Sequence, residues 1–267
     1  MRGTDDFCRE LRKSGDSMIF ITGDTHGDFG RFNTDIFPEQ KQMTKDDYVI
    51  ICGDFGIWND TPEEHHWLDW LNEKPFTTLF VEGNHSNFDR LYAMPVDEWH
   101  GGKVHFIRDS IIHLMRGQVF EIAGKRIFTM GGASSHDIDA GILEPDDPNF
   151  RVKRRLLDKH QALYRINHVS WWKEELPSDD EYETARRNLD ACNWKVDRVI
   201  SHCCPSSVAD IIGSGTYQHD RLTNFFEEIK DRCEFDYWFF GHYHDNRPIM
   251  RKYILLYEQI LQIHPLG

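Results

Sequence analysis

The 267-residue chain has no stretch of 18 or more consecutive apolar residues, so no segment reads as a membrane-spanning helix. The opening residues, MRGTDDFCRELRKSGDS, lack the apolar core of a secretory signal. Its six cysteines, Cys8, Cys52, Cys192, Cys203, Cys204 and Cys233, form no CxxC pair and no regular spacing. That argues against a disulfide framework and predicts buried reduced thiols, the adjacent Cys203 and Cys204 included. Positive charge is in deficit: 31 Lys and Arg face 45 Asp and Glu, a net charge of −14 with histidine neutral. Such a field repels long polyanions and makes nucleic acid an unfavoured, though not excluded, partner. A small phosphorylated substrate stays compatible, because bound divalent cations offset charge locally. Gly/Ser linkers, internal repeats and low-complexity tracts are absent as well. The expectation is one domain over 1–267, cytoplasmic, with no membrane association.

Several short runs rich in β-branched and aromatic residues end at Gly, Asp or Asn. The clearest are SMIFITGD (17–24), DYVIICGD (47–54), TTLFVEGNH (77–85), KRIFTMGGASS (125–135), DRVISHC (197–203) and DYWFFGH (236–242). They are continuously apolar rather than alternating, the pattern of strands covered on both faces. Stretches with helical spacing lie between them, such as TPEEHHWLDWLNEK (61–74) and HDRLTNFFEEIKDRC (219–233). Thr61 followed by Pro62 reads as an N-cap with proline at the first helical position. Strands alternating with helices predict an α/β sandwich. Segment 137–195 departs from this rhythm: an acidic loop, a basic RVKRR at 151–155, then further helical spacing. It reads as an insertion of loop and two or more helices. The tail, 248–263, reads as a closing hairpin or pair of strands.

The strand ends share one property. Asp24 and His26 follow the first run, Asp54 the second, Asn84 and His85 the third; His202 ends a later one, and His242 and His244 follow the last. In sheets with crossover connections, ligands collect beyond the carboxyl ends of the strands. A lone histidine is more often structural than functional, but so many metal-ligating or acid-base groups at five strand ends is not chance placement. In extended chain, residues i and i+2 point the same way, so Asp24 with His26, and His242 with His244, are each expected to reach a common point. Glycines at 23, 53, 83 and 241 permit close approach of backbone to such a site.

The ordered set Asp24-x-His26, Gly53-Asp54, Gly83-Asn84-His85, His202 and Gly241-His242-x-His244 resembles the calcineurin-like metallophosphoesterases. Any one part is nearly worthless; the five in order, spanning 24–244, are specific. The resemblance implies a four-layer α/β/β/α sandwich carrying a binuclear metal centre. One ion would be held by Asp24, His26, Asp54 and His244, and the other by Asp54, Asn84, His202 and His242, with Asp54 bridging. His85 matches the family's non-ligand histidine and is the implied general acid. Two divalent ions about 3.5–4 Å apart can hold a shared water, lower its pKa and present hydroxide to phosphorus. Mixed His, carboxylate and amide donors suit manganese first, with Fe, Zn or Ni as alternatives, over calcium.

Some positions depart from the best-known relatives. In GDFGIWND, Ile57 stands where protein phosphatases carry a second Asp that orients the catalytic histidine, which leaves Asp60 as a substitute; Ser86 stands where many relatives have Glu or Asp. These differences argue against a protein phosphatase. The expected activity is hydrolysis of a small phosphodiester or nucleotide-like substrate by a metal-bridging hydroxide. A phosphomonoesterase, a DNA nuclease of the same fold and a non-catalytic scaffold are the alternatives. Candidate substrate contacts are Ser134, Ser135 and His136 in GGASSHD, and Arg247 just past HYHD. RVKRR reads as a solvated helix face, and His65 and His66 as surface residues of a helix whose other face packs.

Overall fold

The computed structural model describes residues 17–56 and 59–263; Cys8 and Ile57 lie outside the described residues. All six apolar runs form strands. The first sheet begins with β1 (Ile19–Thr22), β2 (Tyr48–Ile51) and β3 (Thr77–Phe80), and continues through β4 (Asp97–Trp99), β5 (Gly102–Arg108) and β6 (Ile111–Leu114). The second opens with the hairpin β7 (Gln118–Ile122) and β8 (Lys125–Met130). Segment 137–195 adds a small parallel pair, β9 (Ile142–Leu143) and β10 (Arg165–Ile166). The chain then returns to the second sheet as β11 (Arg198–Ser201), β12 (Tyr237–Phe240), β13 (Arg247–Ile249) and β14 (Tyr253–Leu255). A last strand, β15 (Leu261–Ile263), crosses back to pair antiparallel with β1.

The orders are β15-β1-β2-β3-β6-β5-β4 and β13-β14-β12-β11-β8-β7. Each sheet has four parallel central strands with antiparallel strands at its margins. Neither β4 to β7 nor the division of the tail between two sheets follows from the apolar runs. β5 interleaves Lys103 and His105 with its apolar residues, which hides it from a search for continuous runs.

Strand alternation builds the layers. Ile19, Ile21, Ile50, Leu79 and Val81 of the first sheet meet Ile127, Ile200 and Phe239 of the second in one core between the sheets. Their neighbours in sequence point the other way. Phe20, Val49, Ile51 and Phe80 pack beneath helix Pro62–Asn72, through Leu68 and Leu71. Phe128, Val199, Trp238 and Phe240 pack beneath helices Asp179–Ala191, Ser206–Gly213 and Arg221–Arg232. The result is the four-layer α/β/β/α arrangement. Burying each such side chain contributes about 1.5–3 kcal/mol, which is why both faces of the central strands are apolar.

Local chemistry sets the helix limits. Thr61 Oγ1 accepts the Glu64 amide at 3.1 Å, as its position before Pro62 predicts. His65 and His66 are exposed on this helix. Asp220 caps Arg221–Arg232 through a capping box with Thr223. Within 137–195, helix Phe150–Lys159 carries RVKRR and buries no residue, whereas Asp179–Ala191 buries Tyr182, Ala185 and Leu189 in the outer layer. The five described cysteines are free, with Cys203 and Cys204 buried. Among the described residues, no helix is long and apolar enough to cross a membrane.

Candidate metal centre

The parallel strands of both sheets run their carboxyl ends to the same edge of the sandwich, and the candidate residues stand there. Asp24, Asp54, Asn84 and His85 follow β1, β2 and β3; His202 follows β11, and His242 and His244 follow β12. Two glycines show how tightly this edge is drawn. A Cβ on Gly241 would overlap Asp24 Oδ1, and one on Gly83 would overlap Asp54 Oδ1.

Asp24 and Asp54 are 1% and 2% exposed and His202 is fully buried. Asp24 Oδ2 lies 3.7 Å from His26 Nε2 and 3.2 Å from His244 Nε2, and these two nitrogens are 3.0 Å apart. Asp54 Oδ2 lies 3.4 Å from His202 Nε2, 3.9 Å from His26 Nε2 and 4.0 Å from His85 Nε2. Asn84 Oδ1 is 3.2 Å from His202 Nε2. The Cys52 carbonyl, 2.9 Å from His202 Nδ1, can only accept, so Nδ1 carries a proton and Nε2 is the atom turned towards Asp54 and Asn84.

Asp24 and His26 do meet, but not by strand alternation. His26, Asp54, His242 and His244 have φ of 46°, 42°, 70° and 48°, all in the left-handed region. The expectation that His242 and His244 face one point is overturned for the same reason: the turn separates them. His242 faces His136, with Nε2 atoms 2.8 Å apart, and packs edge-on to His202; His244 faces Asp24 and His26. Left-handed backbone at a non-glycine residue costs on the order of 1–3 kcal/mol and persists where the surroundings enforce it.

Electrostatics follow from burial and proximity. Burial alone would raise the Asp54 carboxyl, but the His202 imidazole beside it, with His85 and His26, holds it far below the usual carboxylate range. Burial would lower His202, but Asp54 and Asp24 outweigh it and lift its pKa to about 9. For His85, burial wins and lowers the pKa against the pull of Asp54. His242 is pushed well down, by burial first and by His202 next.

Among the described residues, two groups of side chains have ligand atoms mutually within 4.8 Å, Asp24 with His26 and His244, and Asp24 with Asp54 and His202. Carboxylate oxygens and imidazole nitrogens converging from separate strands form a donor set that fits first-row divalent ions. The residues therefore suit a divalent metal, as the resemblance implies, with Asp24 common to both groups.

The other candidates divide. Ser135 and His136 join the cluster, Ser135 through Asn84 Nδ2 at 3.3 Å and His136 through His242. Ser134 does not; its hydroxyl is bound to Asp220 at 2.5 Å, bracing the start of helix Arg221–Arg232. Arg247 is turned to the Ile212 carbonyl at 3.3 Å and to Asp245 at 3.0 Å. Asp60 does not orient His85: it pairs with His65 and Arg90 at 3.0 and 3.2 Å. Sequence reasoning missed Arg31, which donates to the Asp24 carbonyl at 2.7 Å, and Glu175, which holds Ser135. It also missed the Asp137–Arg165 ion pair, whose charges act on His85. The Glu175 and Arg165 contacts join residues 40 and 28 positions apart, and Arg31, seven positions from Asp24, is marked by no motif.

Known proteins resemble the chain in sequence. A lariat debranching enzyme from Caenorhabditis briggsae is 22% identical over 210 residues, covering 73% of this chain and 37% of that protein. Lariat debranching enzyme A from Xenopus laevis is 27% identical over 143 residues, 47% of this chain and 26% of that protein. The chain thus spans well under half the length of these curated relatives. A solved structure of a protein of unknown function from Aquifex aeolicus is 20% identical, with a TM-score of 0.25 over 59% of this chain and 82% of that one. The model of the calcineurin-like phosphoesterase family matches residues 17–246, which leaves only the two ends of the sequence outside it. The chain belongs to the calcineurin-like phosphoesterase family.

Proposed function

We propose that the protein is a hydrolase of phosphate esters that works with two divalent ions, manganese being the best-suited, on a small phosphodiester or nucleotide-like substrate. The observation that carries this reading is the convergence of Asp24, Asp54, His202, His26 and His244 from both sheets. Asp24, His26, Asp54 and His244 would hold one ion, and Asp54, Asn84, His202 and His242 the other. When bound, such a pair supplies a hydroxide at neutral pH and positive charge beside the phosphate oxygens. The chain's own residues do the rest. Burial of Asp24 and Asp54 excludes water from the floor of the site, while His26 and His244 stand half open at the rim.

His85 would protonate the departing oxygen. Its backbone amide donates to Asp54 Oδ1 at 3.0 Å, and its ring projects from the same carboxylate with a third of its side chain exposed. An ester oxygen leaves poorly unless protonated, so this group is worth about 10²–10⁴-fold in rate. The relatives named lariat debranching enzymes support an ester of nucleotide character.

The test is a manganese-supplemented panel of bis- and mono-p-nitrophenyl phosphate, cyclic nucleotides, dinucleotides and DNA, with His85→Ala alongside. Turnover of the diesters with poor leaving groups, the cyclic nucleotides and dinucleotides, that falls at least 100-fold in His85→Ala, with manganese retained, is the expected result. Preference for the monoester makes the protein a phosphomonoesterase, and cleavage of DNA alone makes it a nuclease. Hydrolysis of nothing in the panel overturns the reading in favour of a scaffold.

A further inference from the structure

Segment 137–195 supplies none of the ion ligands named above, yet besides the Asp137–Arg165 pair it sends a buried carboxylate into the base of the site. Glu175 closes the short turn Lys173–Glu175 and is only 4% exposed. Its Oε1 accepts the Ser135 amide at 3.1 Å, and its Oε2 accepts the Ser135 hydroxyl at 2.6 Å. A hydroxyl that has given its proton to a carboxylate can only accept on its other side. The atom found there is Asn84 Nδ2, at 3.3 Å. The order of donation is therefore fixed, amide to hydroxyl to carboxylate, and all three residues are buried. This order allows one amide orientation. Asn84 Oδ1 faces His202 Nε2, whereas a flipped amide would turn N–H groups towards the imidazole and any cation beside it.

We propose that Glu175, acting through Ser135, is a positioning residue that locks the Asn84 carbonyl oxygen towards the His202 side of the site and so sets the affinity of one of the two divalent ions. This rests on the reading of Asn84 as an ion ligand. The segment that departs from the rhythm of the sandwich thereby tunes the ion on one side and leaves the Asp24–His26–His244 side untouched. Glutamine at 175 has the same volume but offers one acceptor in place of two. One Ser135 donor then loses its partner, and the amide is free to turn.

The experiment is calorimetric titration of the metal-stripped full chain with Mn²⁺, alongside Asn84→Ala, Ser135→Ala, Ser135→Thr and Glu175→Gln. The wild type is expected to bind two ions. Ser135→Ala and Glu175→Gln are expected to weaken one of them by about 10–100-fold and spare the other, the range for partners that orient a ligand. Ser135→Thr, which keeps the hydroxyl, is expected to stay near wild type. If Asn84→Ala weakens one ion but Ser135→Ala and Glu175→Gln bind both as tightly as wild type, the proposal is overturned while the metal centre stands. If Asn84→Ala itself changes nothing, the ligand reading beneath it is what fails. Should Glu175→Gln not fold, the Ala and Thr pair at 135 decides alone, because both differ from wild type only at the hydroxyl-bearing side chain.

Discussion

Replacing Gly241 with alanine tests whether the edge of the sandwich is as closely drawn as described. The glycine has no positive φ, so alanine meets no backbone strain there and its effect isolates the overlap. The added methyl would overlap Asp24 Oδ1 and come within 2.9 Å of the Cys52 carbonyl. Cys52 directly follows β2 and its carbonyl is tied to His202 Nδ1 at 2.9 Å, so the Asp24 carboxylate is expected to move instead. That carboxylate accepts the His242 amide at 3.0 and 3.2 Å, and the shift loosens both bonds. Overpacking of a dense site costs about 1–3 kcal/mol, and for a chain of this size each kcal/mol lowers the melting midpoint by about 2–4 °C. The metal-free variant should melt roughly 2–12 °C below wild type. Its Mn²⁺ affinity should fall too, because both Asp24 and His242 are disturbed. Scanning calorimetry with and without Mn²⁺ measures both effects. Gly30→Ala is the control, since a methyl there meets only the Asp28 side chain. If Gly241→Ala melts within about 1 °C of that control and binds Mn²⁺ equally, the close-approach reasoning is wrong.

Three further outcomes are expected. Asp54→Asn removes the carboxylate facing three imidazoles; Mn²⁺ affinity and turnover should fall together, by more than the roughly 10–100-fold of a supporting partner, and activity surviving loss of metal in a paired titration and assay would contradict its role. Arg116→Met leaves the buried Glu82 carboxylate with only His113 as partner and should cost about 3–5 kcal/mol in urea unfolding, most of it recovered in the Glu82→Gln, Arg116→Met double variant; a single variant as stable as wild type would count against the ion pair. His105, buried and 3.1 Å from His113, has its pKa pushed down to about 4 by burial and then by His113. The unfolded chain takes up that proton first, so this contribution, at most about 3 kcal/mol, is present above roughly pH 6.5 and is lost as pH falls towards 4. Urea midpoints measured across that range should slope less in His105→Gln.

Much of the site was legible because strands covered on both faces must be apolar throughout, so their ends stand out where Asp, Asn and His begin. Asp24, Asp54, Asn84, His202, His242 and His244 could be located that way. Their backbone could not. The turns at His26, His242 and His244 are left-handed, and although histidine is enriched there among non-glycine residues, that preference is too weak to announce a turn. Strands β5 and β6 were obscured where the buried His105 and His113 interrupt the run, polar groups satisfied by each other and by Glu82, and β4 because it is short and carries exposed carboxylates. Glu175 was hidden for a different reason. It lies 40 residues from Ser135 and 91 from Asn84, and nothing in KEEL distinguishes a carboxylate that is buried from one that is solvated.

Asp24, Asp54 and Asn84 hang from one sheet, and His202, His242 and His244 from the other. An ion held between them is a rivet through both halves of the sandwich, in addition to any part it plays in turnover. Binding to the assembled state alone stabilises it by RT ln(1 + [L]/Kd), about 2.7 kcal/mol at a hundredfold excess over Kd. Metal supply would then govern how long each molecule survives proteolysis as well as how fast it works, and starvation for the ion would thin the population before it slowed the survivors.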